Sequence, residues 1–290
     1  MKSFTRDLIV WIEKNLDKKV MLDEVAGKSG YSKWYLQRLF RHETGMKLAT
    51  YIRERRLSES AILLKMTGVP VIIAAEQFGF ANQQAFTRTF TQHFCLPPAR
   101  YRQTEDWHFY GLQPSLLSVA HTVPDPEPVW FSAPALSDVT FSYLCDRETL
   151  SSTAFHTAQR ARGLGKAVRL LRGGPPAWFS ERFEAAGTSG NIRFILAFGS
   201  PGHKDGDSGQ SPQSPGRFLR FPFEGSAADL TELQMSAYRH ILPCRAEARR
   251  NGPDMFIVRP DNDENLLSSR FRGDYYMPVT DSLCRSARPD

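Results

Sequence analysis

Apolar positions recur every three to four residues through the first 107 residues, whereas beyond residue 139 they alternate or fall in short aromatic runs. The first pattern predicts helices and the second a mixture of strands and helices. Phe4, Leu8, Ile12 and Leu16 share one face of a helix that Ser3 can cap. A short second helix is expected from residue 22 to near Gly30. A third runs from Ser32 to about Thr44 and stops at Gly45. A long fourth spans about Lys47 to Met66, ahead of Gly68 and Pro70. Pro70 suits the first turn of a fifth helix that ends at Gly79. Asn82 can cap a sixth, and Pro97-Pro98 opens a seventh that ends near Asp106.

This helical region repeats itself. Ala26, Gly30 and Tyr31 recur as Ala75, Gly79 and Phe80. After one inserted residue, Ser32, Leu36, Arg38 and Phe40 recur as Asn82, Phe86, Arg88 and Phe90. Each copy is a short helix, a glycine turn and a second helix, the helix-turn-helix pattern. Opposite the apolar stripe, the first copy carries Trp34, Arg38 and Arg41 with Gln37 at the side. The second carries Gln84, Arg88 and Thr91 with Thr87 at the side. Arg, Gln and Thr reach base edges in a major groove, and a Trp or Thr can press on a thymine methyl. Packing of Trp34 on a neighbouring helix, and pairing of Arg38 with His42 or Glu43, stand as the alternatives. A 19-residue connecting helix spans about 28 Å, which would suit two helices in successive grooves ~34 Å apart.

Charge agrees with this reading. Residues 1–107 hold 17 Lys and Arg against 11 Asp and Glu, and residues 108–290 hold 20 against 20, so the whole net charge of +6 lies in the first part. A basic domain joined to a neutral one suggests that the first meets a polyanion. Arg53, Arg55 and Arg56 are candidate phosphate contacts, or ordinary surface charge.

Residues 108–138 carry five prolines and read as a linker with one short strand. Beyond them, strands are expected at 139–145, 177–182 and 192–198, with a helix at 148–172 weakened by Gly163 and Gly165. The order repeats as a strand at 217–223, a helix at 227–242 and strands at 255–259 and 271–279; Pro201 to Pro215 reads as a surface loop. The expected architecture is therefore multidomain. An all-α domain of seven helices with two helix-turn-helix motifs (1–107) is followed by a Pro-rich linker (108–138) and an α+β domain of two βαββ units (139–290).

No nucleophile elbow, phosphate loop or HExxH stands in the sequence. A cleft between the two βαββ units is the default ligand site. Its candidate lining is Trp178, Phe223, Glu224, Tyr238, Asp274 and Tyr276, with Phe179 and Phe221 nearby. Glu224 and Asp274 are the carboxylates of interest, and both could instead be strand-end charges facing water. A second reading makes this half a small-molecule hydrolase or drug-sequestering module, with those carboxylates as general acid and base. Neither a metal nor a cofactor is expected. Four scattered cysteines (95, 145, 244, 284) point to a reducing cytosol, and no apolar run approaches the length of a membrane span.

The stretches GYSKWYLQRLF, YIRERRL, AAEQFGF, QQAFTRTF and PPARYR resemble the AraC/XylS family of bacterial transcription regulators. Within it they are most similar to the multiple-antibiotic-resistance and superoxide-response activators. The resemblance implies a non-enzymatic DNA-binding activator in the cytoplasm, associated with the nucleoid. It implies binding as a monomer to an asymmetric promoter site and contact with RNA polymerase. The candidate DNA contacts are Lys33, Trp34, Gln37, Arg38 and Arg41 in the first copy, and Gln83, Gln84, Thr87 and Arg88 in the second. Tyr35 stands where relatives carry His. Cys95 stands where the family usually has Gly, so the last helix is expected to enter differently.

Residues 139–290, through FPFEG, RRNGPDMFIVRP and DYYMPV, look like a GyrI-like (SHS2-type) effector-binding domain. That implies a small amphipathic or cationic organic effector. Asp274 replaces the family's longer Glu, which weakens the implication of a cationic ligand.

Overall fold

A computed structural model describes residues 3–16, 26–27, 30–117, 125–134, 136, 139–150, 152–170, 178–188, 190–199, 215–260 and 270–280. The helix expected over 22–30 lies mostly outside them, with only residues 26 and 27 described and helical. The 201–214 part of the expected loop and Cys284 also lie outside. The chain divides into two compact units. One is Met1–Thr104 with Phe109–Ala120, and the other is Glu105–His108 with His121–Asp290. No helix of the described residues is long and apolar enough to cross a membrane.

The first unit contains α1 (Ser3–Glu13), α2 (Lys33–Thr44), α3 (Leu48–Met66), α4 (Val71–Gln77), α5 (Gln83–Phe94) and α6 (Pro98–Gln103). The repeat seen in the residues recurs in the backbone. Gly30 and Gly79 occupy the left-handed region at φ 69° and 71° in the two turns. Ser32 and Asn82 then cap α2 and α5, each accepting from the backbone N–H three residues on. This satisfies a donor that the first helical turn leaves free.

Behind α2, Leu36 and Phe40 join Leu8, Ile9, Ile12, Tyr51 and Ile52 in one core. Behind α5, Phe86 and Phe90 pack on each other and on Phe94 and Tyr101. The long α3 is buried along much of its surface and touches α2, α4 and α6.

The expected change at Cys95 does not occur. Cys95 takes the left-handed conformation (φ 59°) that Gly45 takes at the same place in the first copy (φ 76°). The caps that follow, Lys47 and Pro97, are both extended, so α3 and α6 start alike. The turn keeps its geometry, and the Cβ is accommodated at a local energetic cost.

The stretch expected as a linker is more ordered than that. Residues 109–117 pack on α3: the Gln113 N–H donates to Ser58 Oγ (2.8 Å), and the Leu116 N–H donates to the Tyr51 hydroxyl (3.2 Å). Further on lies β1 (Glu127–Phe131).

The second unit continues with β2 (Val139–Cys145), α7 (Thr153–Leu170), β3 (Trp178–Ala185), β4 (Ile192–Gly199) and β5 (Gly216–Gly225). After α8 (Ala227–Ser236) come a π turn, a short 3-10 turn, β6 (Asp254–Pro260) and β7 (Phe271–Pro278). All seven strands form one antiparallel sheet in the order β1-β5-β7-β6-β3-β4-β2. The helix α7 packs on β2 and β4, and α8 on β5. Gly163 lets α7 approach closely, because a Cβ there would press on Phe141 and Phe198.

Two buried carboxylates hold the middle of the helix-covered face. Glu181 and Asp254 are register partners across β3 and β6. The Gln234 side-chain amide of α8 donates to both, at 3.0 and 2.9 Å. Arg160 pairs with Glu181, and Arg249 with Asp254 at 3.0 Å. Burial alone would push the Glu181 carboxyl up, but Arg160 and Gln234 hold it below the ordinary value. A buried charge survives only when paired and hydrogen-bonded, and here both conditions are met.

Candidate nucleic-acid interface and ligand face

The residues expected to read bases lie on the outer surfaces of α2 and α5. Lys33, Trp34, Gln37, Arg38 and Arg41 are all exposed, as are Gln83, Gln84 and Arg88, while Thr87 is half-buried. Trp34 is 66 % exposed and so is not a core residue of the first unit. Arg38 does not pair with His42 or Glu43; its guanidinium lies over the Trp34 ring, 5.3 Å from the centroid. Residues four apart on a helix are neighbours on its surface, and a guanidinium is attracted to the negative face of an indole. The Thr91 hydroxyl donates to the Thr87 carbonyl (2.7 Å). Tyr31 and Tyr35 add two half-exposed rings at the start of α2, 4.9 Å apart, with Phe4 edge-on to Tyr31.

The three arginines of α3 separate into different roles. Arg55 is buried: it forks onto Glu13 of α1 (3.0 and 2.8 Å), pairs with Glu59 (2.7 Å) and donates to the Gln113 carbonyl (2.7 Å). It is a structural strut and is withdrawn as a phosphate contact. Burial would lower its pKa, but the charges of Glu59 and Glu13 reverse this and hold it above the usual arginine range. Arg56 donates to the Leu16 carbonyl (3.1 Å). Only Arg53 is largely exposed, with a loose 3.8 Å contact to Glu54.

In the second unit the expected lining splits between the two faces of the sheet. Phe223 and Glu224 are neighbours on β5, so their side chains point to opposite faces. Phe223 points to the helix side, together with Phe221, Phe179 and Tyr275. Tyr238 lies on that side too, its hydroxyl donating to Asp254 (2.9 Å). Phe223 and Tyr238 are therefore removed from the ligand face.

Trp178, Asp274, Tyr276 and Glu224 share the other face, where Ala133 and Leu136, after β1, are buried in one cluster with Phe218, Met255 and Tyr276, against which Trp178 and Phe131 pack. There Asp274, Ile257 and Trp178 stand in one row across β7, β6 and β3. Phe131 of β1 stacks on Tyr276 (4.5 Å, 14°) and lies parallel to Trp178 (6.0 Å, 6°). Opposite Trp178 on β4 is Gly199, followed on this face by Ala197, so no bulky β4 side chain stands beside the indole.

The carboxylates of this face are already engaged. Asp274 is buried and takes Arg220 (2.9 Å) on one oxygen and Arg259 (3.1 Å) on the other. Arg220 also reaches Glu127 of β1 (3.0 Å). Glu224 is exposed and pairs with Arg272 (3.2 Å). Tyr276 is raised above the ordinary phenol value, first by burial and then by the Asp274 charge. Two carboxylates each taken up by arginine are poorly disposed to act as an acid–base pair.

A model of the helix-turn-helix domain family matches residues 25–104. The transcriptional regulator Rob of Salmonella typhimurium is 32% identical over 268 residues, covering 89% of this chain and 91% of its own length. The right origin-binding protein of Escherichia coli K12 matches with the same identity and coverage. The chain is a member of the AraC/XylS family and a Rob-like, DNA-binding transcription regulator. The multiple antibiotic resistance protein MarA of E. coli is 47% identical over 97 residues, 33% of this chain and 76% of MarA.

In this regulator the residues that sequence reasoning missed are Phe131, Glu127, Arg220 and Arg259. Strand alternation from Glu224 back to Arg220, and from Asp274 to Tyr276, was available as a signal. It would have placed Arg220 on the ligand face and Phe223 off it. Phe131 gave no such signal, because β1 lies among prolines and pairs on one side only.

Proposed function

We propose that this regulator binds an asymmetric promoter site as a monomer. Helices α2 and α5 would lie in successive major grooves, and Trp34, Gln37, Arg38 and Arg41 would read one block of the site. Gln83, Gln84, Thr87 and Arg88 would read the other. The observation that carries this reading is the duplicated helix-turn-helix with two exposed Arg and Gln faces of different composition. Unlike faces imply unlike half-sites, and a 19-residue α3 supplies a rigid spacer of about 28 Å. Lys33 and Arg53 would meet phosphates, which position the protein without reading sequence.

The relation to Rob and MarA supports promoters of the stress and multidrug-resistance type. It also supports contact with RNA polymerase and a place of action on the bacterial nucleoid in the cytoplasm. We read the second unit, with its β-α-β-β order occurring twice, as a GyrI-like effector domain whose ligand lies on the sheet face opposite the helices, beside the half-buried Trp178.

Selection of bound sequences from a random pool tests this directly. One asymmetric site with two dissimilar blocks about one turn (~10 bp) apart is expected. A palindrome, or no consensus together with steep salt dependence, would replace the reading with a dimeric or non-specific binder.

A further inference from the structure

We propose that the sheet face of the second unit opposite the helices accepts, beside Trp178, a planar aromatic anion rather than a cation, with Arg259 as the group that meets its acid. This rests on the reading of that face as the effector site.

The only buried acid that the described residues place on this face is Asp274, and its charge is already spent. Arg220 and Arg259 each hold one of its oxygens. A cationic ligand would have to displace a guanidinium from a close pair to gain a counter-ion, and it would leave that guanidinium without a partner. An anion meets no such obstacle. The Arg259 side chain is 62% exposed, and one of its amino groups holds Asp274. A guanidinium has five donors, so the remaining N–H groups can take a carboxylate while Asp274 stays paired.

The apolar part of the ligand is defined by Trp178, which stands in the same cross-strand row as Asp274. Trp178 and Phe131 are half-buried and parallel to each other, and Tyr276 stacks on Phe131. Phe131 and Tyr276 already stack on each other in the cluster that holds Ala133 and Leu136. The surface left to a ligand is therefore the half-buried Trp178 with small Ala197 and Gly199 alongside, which favours a flat aromatic body over a branched one. Ile257 lies between Trp178 and Asp274 in the cross-strand row and joins the aromatic part to the charged end.

Three ligands of one shape and different charge test this on the full chain by titration calorimetry: 1-naphthoate, 1-naphthylmethanol and 1-naphthylmethylammonium. The carboxylate should bind about tenfold tighter than the alcohol, the value of one charge-assisted hydrogen bond, and the ammonium weakest. Arg259→Met should remove the preference for the carboxylate, and Arg259→Lys should restore part of it. Circular dichroism would confirm that both variants keep their fold. Trp178→Ala should weaken all three ligands together. If the ammonium binds tightest, the charge assignment is overturned while the effector face stands. If none of the three binds, or Trp178→Ala changes nothing, both the assignment and the effector face are overturned.

Discussion

The Arg38 guanidinium lies over the Trp34 ring at 5.3 Å, and both side chains face solvent on α2. The stack pre-orients the arginine along the helix surface, so that less side-chain freedom is lost when it meets a base. Replacing Trp34 by Ala should therefore weaken specific binding by about 1–3 kcal/mol and relax the choice of base at the positions Arg38 reads. Thermal stability should be unchanged, because Trp34 is exposed. Gel shifts on matched and single-mismatch duplexes, alongside a melting curve, check both halves of this expectation.

Arg55 and Arg53, two residues apart on α3, should behave oppositely. Arg55→Ala removes the cation that Glu13 and Glu59 share, leaving Glu13 only the Tyr51 hydroxyl among the described residues, and should cost about 3–5 kcal/mol of stability. Arg53→Ala should leave stability alone and reduce the slope of log K against log salt by about one ion. Urea denaturation measures the first, and salt titrations of DNA binding measure the second.

His156 should make the second unit sensitive to mild acid. It is buried, with Nδ1 near the Tyr143 hydroxyl (2.9 Å) and Nε2 near the Leu150 carbonyl (3.2 Å). Burial lowers its pKa below the ordinary 6.5. A base whose folded pKa is depressed takes up its proton more readily when unfolded, so stability is full above 6.5 and falls as pH drops below it. Glu181, also held below its ordinary value, loses its contribution only at lower pH, beneath 4.5. The unfolding midpoint of this unit should fall between pH 7 and 5, and His156→Asn should flatten that slope. A midpoint that does not change over this range would contradict the assignment.

Cys95→Gly should stabilise the first unit by about 1 kcal/mol, because a Cβ in the left-handed region is strained and Gly is not. Cys95→Val should do the reverse. Thermal melts of the two variants decide it.

The helices of the first unit were legible because their signals are local. In each helix-turn-helix copy a turn glycine, a cap and an apolar stripe stand within a dozen residues of one another, and repetition doubles each signal. Trp34 also became legible through the repeat, by its correspondence with Gln84 on an otherwise polar face. Arg55 was not legible. The helix α3 is buried on several sides, so its own pattern cannot say which of three arginines turns inward. Its partner Glu13 lies 42 residues earlier.

The strand positions in the second unit were also close, but the ligand face was only half read. Phe223 alternates away from Glu224 along β5 and Tyr238 bonds Asp254 on the helix side, so neither belongs to it. The pairing of Asp274 with Arg220 and Arg259 depends on strand order, which brings β5 and β6 to either side of β7. Nothing in the local sequence around DYYMPV records that order.

On the proposed reading, α2 and α5 contact two separate blocks of one site. Hydroxyl-radical footprints of the wild type, Arg38→Ala and Arg88→Ala on a selected site test it most directly. Each variant should lose protection and base discrimination in a different block, the two lying about one helical turn apart. Loss of the same block in both variants, or wild-type discrimination in both, would contradict it.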